Sequence, residues 1–581
     1  MENPGVVRMS ENTDEFLEKL APCIEKGDLE ACVEEASKLA EEMEISGEEL
    51  LELSGKFSKE GRHENAYALA LAASRVLKDD KQANAYFNAG LSAKSLEYYE
   101  KSEEHYKKAI ELDPKYALAQ NNYANLLANS GRRDEAEDHY KKAIESDPKY
   151  AQAHNNYANL LDDLGRRDEA EDHYKKAIEL DPKLAQAYTN YGILLADLGR
   201  RDEAEVHYKK AIELDPKLAQ AHNNYAYLLA NSGRRDEAED HYKKAIESDP
   251  KLAQAHNNYA NLLANSGRRD EAEDHYKKAI ESDPKYAQAN YNYAILLANS
   301  GRRDDAEVHY KKAIELDPKL AQARNNYAVL LANSGRRDEA EVHYKKAIEL
   351  DPKYAIAHKN YADLLRKLER FSEAETEVRN ALKIYPGNPY ALSTLGDIMA
   401  DEEYFEEAEE QYKESFKNSG SMDESALSEV HNNLGYVYFQ LEMNKEAKKE
   451  FQKSVELSGN VKAIRNLRAI KKSETKGVDL RAGIPQVQKR NLIIFLLFSL
   501  LLCYLLFIFF EAGDGTRLLS DTVFVAQSSI LMGLLIFVLF ADQLVRLKVG
   551  TQGVELEMSG TEYRTAETKS LSAEAAPRLE R

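Results

Sequence analysis

The sequence predicts an all-α fold, an α-solenoid of stacked helix hairpins followed by a C-terminal transmembrane helical hairpin. A unit of 34 residues recurs without gaps over residues 83–388, and an uncharged apolar run lies beyond the repeats at Leu492–Phe510. The chain has 581 residues, too many for a single compact core. A period of this length is typical of repeat architectures, in which each unit buries its apolar face only by stacking on its neighbours.

Two landmarks keep the 34-residue spacing. The prolines of an Asp-Pro-Lys triplet are Pro114, Pro148, Pro182, Pro216, Pro250, Pro284, Pro318 and Pro352. The glycines of a Gly-Arg-Arg triplet are Gly131, Gly165, Gly199, Gly233, Gly267, Gly301 and Gly335.

One unit, Ala117–Tyr150, shows how the repeat is built. Apolar residues at helical spacing predict a first helix that ends at Gly131, a residue typical of helix C-termini. A second helix follows, and its apolar stripe recurs at intervals of three and four residues. This stripe consists of Ala136, Tyr140, Ala143 and Ile144.

Polar residues of the same unit predict its caps. Asp134 with Glu137 is typical of a capping box at the start of the second helix. Glu137 and Lys141 are spaced for a favourable ion pair along that helix. Asp147 and Pro148 indicate an N-cap and a first-turn proline for the next repeat.

The unit resembles the tetratricopeptide repeat (TPR), a helix–turn–helix of 34 residues. Counting from Ala117 as position 1, the match consists of small residues at positions 8 and 20, an aromatic at 24 and a proline near the end. The tryptophan that is usual early in the repeat is replaced by Gln120, His154, Tyr188 and His222. The resemblance implies a right-handed superhelix whose first helices line a concave face.

The periodicity divides the chain into segments. Residues 1–46 are expected to form an N-terminal helical cap, and residues 47–461 the TPR solenoid. Within it, the repeats at 83–388 are regular, and those at 47–80, 389–422 and 428–461 are degenerate. Residues 462–490 are predicted to be a basic juxtamembrane linker.

Residues 491–510 predict a first transmembrane helix, because 19 uncharged residues from Leu492 extend about 28 Å as a helix. Residues 523–540 predict a second span, although polar residues interrupt the run, and a re-entrant or interfacial helix is the alternative. The linker is rich in Lys and Arg, whereas the connecting loop holds only Arg517. The solenoid and the tail are therefore expected in the cytoplasm.

The tail, 541–581, is predicted to be mostly disordered, with a small β-hairpin around Thr551-Gln552-Gly553. The basic linker has two interpretations, topology alone or binding of anionic lipid headgroups.

The composition limits the binding partners and the cellular compartment that are expected for this protein. The formal net charge of −22 disfavours nucleic acid and favours basic proteins or peptides, or else serves solubility alone. Cys23, Cys32 and Cys503 form no CxxC pair, so neither a zinc site nor a disulfide framework is expected. The N-terminus lacks the apolar run of a signal peptide, which agrees with a reducing cytoplasm.

No catalytic motif occurs in the chain, so neither an enzymatic activity nor a cofactor or metal is expected. Eight histidines recur just before the aromatic residue of the second helix, and equivalent positions are about 10 Å apart, too far to share a metal. They are interpreted as surface or groove-lining residues. They are His105, His139, His173, His207, His241, His275, His309 and His343.

Position 6 is an asparagine in every regular repeat, and we name this column the asparagine ladder. It consists of Asn88, Asn122, Asn156, Asn190, Asn224, Asn258, Asn292, Asn326 and Asn360. It is similar to the TPR superhelix of protein O-GlcNAc transferases, in which such asparagines hold the backbone of an extended peptide. Their catalytic domain has no counterpart here. A carboxamide both donates and accepts, which suits a peptide group.

The alternative is that the ladder sets the superhelical pitch, or that duplication copied it without a role. The sequence therefore predicts a membrane-anchored scaffold or adaptor whose concave groove binds extended peptides or partner proteins. A signal-transducing membrane component and the targeting subunit of a separately encoded enzyme are the alternative functions.

Overall fold

The computed structural model describes residues 11–25, 28–475, 544–550 and 553–558. The chain divides into two compact units, Met1–Ser282 and Asp283–Arg581. The predicted spans 491–510 and 523–540 lie outside the described residues, as does most of the tail. Among the helices of the described ranges, none has the length and apolar character that crossing a membrane requires.

The first unit consists of helix hairpins. Its helices are α1 (Glu11–Glu25), α2 (Leu29–Glu42), α3 (Gly47–Lys59), α4 (His63–Val76), α5 (Asp79–Ser95), α6 (Tyr99–Leu112), α7 (Ala117–Asn129), α8 (Arg133–Ser146), α9 (Ala151–Asp163), α10 (Arg167–Leu180), α11 (Ala185–Asp197), α12 (Arg201–Leu214), α13 (Ala219–Asn231), α14 (Arg235–Ser248), α15 (Ala253–Asn265) and α16 (Arg269–Ser282).

The second unit continues the pattern and adds a final helix. Its helices are α17 (Ala287–Asn299), α18 (Arg303–Leu316), α19 (Ala321–Asn333), α20 (Arg337–Leu350), α21 (Ala355–Lys367), α22 (Phe371–Ile384), α23 (Pro389–Asp401), α24 (Phe405–Lys417), α25 (Glu424–Gln440), α26 (Asn444–Ser458) and α27 (Val461–Thr475). Helix α27 occupies the start of the stretch that the sequence assigned to the linker. A 3₁₀ turn spans Ser419–Ser421.

Each repeat is one antiparallel pair, and the pairs stack in sequence order. The second helix of a repeat also contacts the first helix of the next repeat, as α8 does with α9 and α18 with α19. First helices contact each other as well, along α7, α9, α11, α13 and α15 in one unit and along α17, α19, α21, α23 and α25 in the other. The prediction of an all-α TPR solenoid is confirmed. The solvent-facing side of the first helices is hereafter the first-helix face.

The glycine of each Gly-Arg-Arg triplet ends the first helix. Gly131 has φ +79°, a left-handed conformation that costs glycine little. Its N–H bonds the carbonyl of Ala128, and the N–H of Arg132 bonds that of Leu127 at 2.9 Å. This pattern is a Schellman motif, which satisfies the last carbonyls of the helix.

The predicted caps of the second helix are wrong. Helix α8 has Arg132 as its N-cap residue, and no side chain caps it. The tight Schellman turn starts the helix directly after Gly131, which places Asp134 inside the first turn. Asp147 instead ends α8 and accepts a hydrogen bond from the Lys149 N–H at 3.0 Å, so Pro148 lies in the turn before α9.

Small residues at position 8 make room for the aromatic ring of the second helix. Gly192 occupies this position in α11, and an added Cβ would lie 2.7 Å from the Tyr208 ring. Ala124 fills the same place in α7 and is fully buried, as are Ala136 and Ala143 on the facing helix. The apolar core of each hairpin is therefore built from alanine, tyrosine and leucine.

Charged residues of the second helices bind successive repeats together. Glu137 pairs with Lys141 at 2.8 Å, as predicted, and also with Arg166 of the next repeat at 2.8 Å. The Tyr157 hydroxyl donates to the same carboxylate at 2.8 Å. Burial alone would raise the pKa of Glu137, but hydrogen bonds from Lys141, Arg166 and Tyr157 outweigh it and lower the pKa to about 2.

Two short strands form an antiparallel hairpin where the alternation predicts one. Strand β1 spans Leu544–Gly550 and strand β2 spans Gly553–Met558. Leu547 pairs with Leu556, and an irregularity in register lies between Leu544 and Arg546.

Candidate functional site

The asparagine ladder lies on the first helices, at or just below the surface of the first-helix face. Asn224, Asn292 and Asn326 are buried. The remaining ladder residues are half-buried, namely Asn88, Asn122, Asn156, Asn190, Asn258 and Asn360. The structure therefore brings the predicted residues into one column within each unit.

Most ladder asparagines bridge two repeats. The Nδ2 of Asn156 donates to Oδ1 of Asn121, at position 5 of the preceding repeat, at 3.1 Å. The same bond joins Asn190 to Asn155 at 3.1 Å, Asn258 to Asn223 at 3.2 Å and Asn360 to Asn325 at 3.1 Å. A buried asparagine column at position 5, which the sequence interpretation missed, is therefore the acceptor of the ladder.

The ladder also accepts hydrogen bonds within its own repeat. Oδ1 of Asn156 receives Gln152 Nε2 at 2.9 Å and Asn155 Nδ2 at 3.1 Å. A carboxamide has two N–H donors and two acceptor lone pairs, so these bonds leave Asn156 one donor. This geometry supports the role of the ladder in setting the spacing of repeats, and the second N–H of Asn156 makes no hydrogen bond within the described part of the chain.

The first-helix face is rich in amides, and several of its helices carry no charge. Helices α7, α13, α15 and α17 contain no charged residue, whereas eight of the 14 residues of α8 are charged. Outside the ladder, position 2 contributes glutamines such as Gln254, and position 13 contributes asparagines such as Asn265, both exposed. On these helices, exposed amide groups can form hydrogen bonds to a partner without the loss of an ion pair.

The recurring histidines are not on this face, so their interpretation as surface or groove-lining residues needs correction. His173 is half-buried inside its hairpin, where its Nδ1 lies 2.9 Å from Nδ1 of His154 at position 4. Its ring also packs edge-on against Tyr157, with centroids 4.7 Å apart. Position 4, where the family usually has tryptophan, thus pairs with the histidine of the second helix.

Burial lowers the pKa of these histidines. The pKa of His241 and of His275 falls to about 4, first because of burial and then because a second histidine lies alongside. In the pair of His222 and His241 the two Nδ1 atoms are 2.9 Å apart, and His222 Nε2 lies 3.2 Å from the carbonyl of Pro216. Such a pair holds together only while at least one ring is neutral.

A cluster of buried charges interrupts the first-helix face in the second unit. Arg366 on α21 is 6% exposed and pairs with Asp401 at 2.8 Å and Asp397 at 3.5 Å on α23. Beside it, Lys359 pairs with Asp363 at 2.8 Å. The Nε of Arg366 has no hydrogen-bond partner within the part of the chain that the structure describes.

Asp397 is the centre of this cluster. Its Oδ1 accepts from the Tyr412 hydroxyl at 2.6 Å and from Asn433 Nδ2 at 2.9 Å. Burial raises the pKa of Asp397, and Arg366 opposes that rise. A cavity of about 20 Å³ adjoins Arg366 and Asp401, enough for roughly one water molecule.

Family models for the tetratricopeptide repeat match most of the solenoid. The matched residues are 83–116, 115–183, 151–217, 183–251, 217–285, 258–321, 309–342, 331–398 and 428–461. Together they cover more than half of the 581 residues. The chain belongs to the tetratricopeptide repeat family. No curated protein sequence matches it.

Solved structures similar to this chain include the APC/C hetero-tetramer Cut9–Hcn1, at 15% identity and TM-score 0.48, covering 80% of this chain and 96% of that one. PilF of Pseudomonas aeruginosa is 22% identical with TM-score 0.34, covering 37% of this chain and 97% of its own. YrrB, a TPR protein with an unusual peptide-binding site, is 29% identical with TM-score 0.25, covering 32% and 96%.

Proposed function

We propose that this protein is a membrane-anchored scaffold or adaptor without enzymatic activity, and that its first-helix face binds partner proteins or extended peptides. The observation that carries this proposal is the contrast between the two helix layers. The second helices carry many charged residues, and ion pairs between some of them hold successive repeats together. The first helices present exposed amide side chains, which take no part in these ion pairs.

Carboxamides suit a guest of variable sequence. Each offers a donor and an acceptor, which a peptide backbone matches at every residue. One such hydrogen bond contributes about 0.5–1.5 kcal/mol, so several in a row are needed to offset the ordering of an extended guest. The half-buried ladder residues Asn156, Asn190 and Asn258 keep one N–H each for this purpose, in addition to their bonds between repeats.

A photoreactive amino acid at position 265 or at position 274 tests the proposed face. Asn265 ends the first helix of a repeat and Asp274 lies on the second helix of the same repeat, and both are exposed. Irradiation of the full-length chain in cells is expected to give discrete adducts from position 265 and few from position 274. Adducts of equal yield from both positions would count against a binding face on the first helices.

The membrane anchor is a separate part of the proposal. It assigns residues 491–510 and 523–540 to two spans, with the solenoid in the cytoplasm. Extraction of membranes with alkaline carbonate is expected to leave the full-length chain in the pellet. Release into the supernatant would contradict the membrane anchor, whereas the proposed scaffold role would not be affected.

A further inference from the structure

Near-identical repeats make departures from the common pattern informative. Helices α7 and α15 share asparagine at positions 5, 6, 9 and 13. The helices between them depart from it. The departures are Asp162 and Asp163 on α9, Thr189, Ile193 and Asp197 on α11, and Tyr227 on α13.

These substitutions meet on adjacent helices, because α11 contacts both α9 and α13. Ile193 and Tyr227 both occupy position 9, where the common repeat has asparagine. Ile193 is half-buried, and Tyr227 is 45% exposed, a large apolar ring on a face otherwise lined by amides. Adjacent helices are about 8–10 Å apart, so one guest side chain reaches both. We name Ile193, Asn224, Tyr227, Asp163 and Asp197 the Tyr227 patch.

Thr189 breaks the ladder at this place. Asn224 would donate to residue 189 if the pattern of the other repeats held, but Thr189 is buried and its hydroxyl donates to the carbonyl of Ala185 at 3.0 Å. Nδ2 of Asn224 is therefore buried without an acceptor in the part of the chain that the structure describes. Asn224 is 9% exposed and lies three residues from Tyr227, on the same side of α13.

Negative charge borders the patch. Asp163 and Asp197 are exposed and make no ion pair among the described residues, whereas Asp162 pairs with Arg167 at 3.5 Å. Burial raises the pKa of Asp162, Arg167 opposes that rise, and the charges of Asp197 and Asp163 add to it. Position 13 is asparagine in the other regular repeats of this unit from α7 onward.

We propose that the Tyr227 patch binds an extended peptide segment through one large apolar side chain on Tyr227 and Ile193, with an adjacent lysine or arginine paired to Asp163 or Asp197. This inference rests on the proposed function and names the guest chemistry that one section of the first-helix face selects.

Ile295 and Val329 provide an internal control. They occupy the same position 9 on α17 and α19 in the second unit, but asparagine stands at position 13 in both repeats. There the ladder is intact, since Asn326 Nδ2 donates to the Tyr291 hydroxyl at 2.9 Å. Ile295 is also buried and Val329 half-buried, so this place lacks both the exposed ring and the carboxylates of the Tyr227 patch.

The test uses the full-length chain in detergent and short fluorescein-labelled Gly/Ser peptides that contain Leu followed by two Lys, Ala followed by two Lys, or Leu followed by two Glu. Fluorescence anisotropy is expected to show the Leu–Lys peptide bound about tenfold more tightly than the Ala–Lys peptide, the effect of burying one leucine. The Leu–Glu peptide is expected to bind most weakly, because Asp163 and Asp197 repel it.

A repaired variant combines Thr189→Asn, Ile193→Asn and Tyr227→Asn, all residues that the flanking repeats carry, so its fold is expected to persist. It should lose the preference for leucine. The variant Asp163→Asn with Asp197→Asn should lose the preference for lysine over glutamate, and Ile295→Asn with Val329→Asn should change neither.

Equal affinity of the repaired variant and the natural chain for the Leu–Lys peptide would contradict peptide binding by the Tyr227 patch. The proposal that the rest of the first-helix face binds partners would not be affected. If the natural chain bound none of the peptides, the patch would be wrong. The photo-cross-linking yields at positions 265 and 274 would then decide separately whether the face binds folded partners.

Discussion

In four repeats the asparagine at position 5 is buried and accepts a hydrogen bond from the ladder asparagine of the following repeat. In α21, by contrast, Lys359 occupies position 5. Its neighbours change with it. Asp363 and Asp397 replace asparagine at position 9, and Arg366 replaces alanine at position 12. The same junction between first helices is thus made by neutral amides in one region and by buried charges in the other.

The amide junction and the charged junction differ in the free energy that is lost when one partner is removed. A neutral amide left without its partner costs about 1–3 kcal/mol when buried. A buried charge left without its partner costs about 3–5 kcal/mol, because water no longer solvates it. The C-terminal repeats should therefore tolerate single substitutions less well than the regular ones.

Arg366→Ala should give the largest effect. It leaves Asp397 and Asp401 without their cation, and we expect a loss of about 3–5 kcal/mol in the free energy of unfolding of the second unit, measured by guanidinium titration of the full-length chain. Adding Asp397→Asn and Asp401→Asn recreates the residues of a regular repeat and should recover most of that loss. A triple variant no more stable than the single one would show that charge is not the cause.

Asn325→Ala tests the neutral junction. Asn325 is 1% exposed, accepts from Asn360 and donates to Asn326 at 2.9 Å, so its removal leaves buried polar groups unpaired. The same titration should show a loss of about 1–3 kcal/mol. Asn333→Ala changes an exposed asparagine in the same helix and is expected to have little effect. Similar losses for both would mean that the bridge between repeats adds nothing.

Acidification should act on the two regions in opposite directions. The pKa of His241 is lowered to about 4, so its contribution to stability is present above the ordinary pKa of about 6.5 and falls between pH 6.5 and pH 4. Burial also lowers the pKa of His358, but the Glu377 carboxylate 2.6 Å away outweighs it and raises the pKa. The stability that His358 contributes is therefore full below about pH 6.5 and is lost as pH rises through its folded pKa.

Hydrogen-exchange protection factors, corrected for intrinsic rates, measure this difference. Between pH 7.5 and pH 5.5 we expect protection around α13 and α14 to fall about tenfold for each histidine with a pKa near 4. Protection around α21 and α22 should rise instead, because the folded state raises the pKa of His358. His241→Gln should reduce the change in the first region, and an equal fall in both regions would contradict the opposite signs.

The turns give the smallest predicted effect. Glu369 takes a left-handed conformation, φ +59°, at the place where the regular repeats have glycine. Glu369→Gly should stabilise the second unit by about 1 kcal/mol, because the left-handed region costs a residue with a Cβ about 1–2 kcal/mol and glycine loses some of that gain in backbone entropy. Gly335→Ala, the reverse change in a regular turn, should destabilise. Thermal unfolding of the two variants distinguishes these signs.

The candidate site could be predicted only in part. Spacing alone placed the ladder in one column, since residues 34 apart in a regular array are equivalent. The acceptors at position 5 were visible in the sequence as a second asparagine column, but helical spacing does not show which neighbour a side chain reaches. The pairs of Glu137 with Arg166, and of His154 with His173, depend in the same way on how helices meet.

The sequence by itself determined the hairpin unit, its turns and its membership of the TPR family, because a 34-residue period with glycine, alanine and tyrosine at fixed positions permits few other packings. Tertiary structure alone decided which ladder amides find a hydrogen-bond partner. Asn190 and Asn224 are the same residue in the same position, yet one is bonded and the other lacks an acceptor. The difference lies in the preceding repeat, where Asn155 and Thr189 meet them across a helix interface that only folding creates.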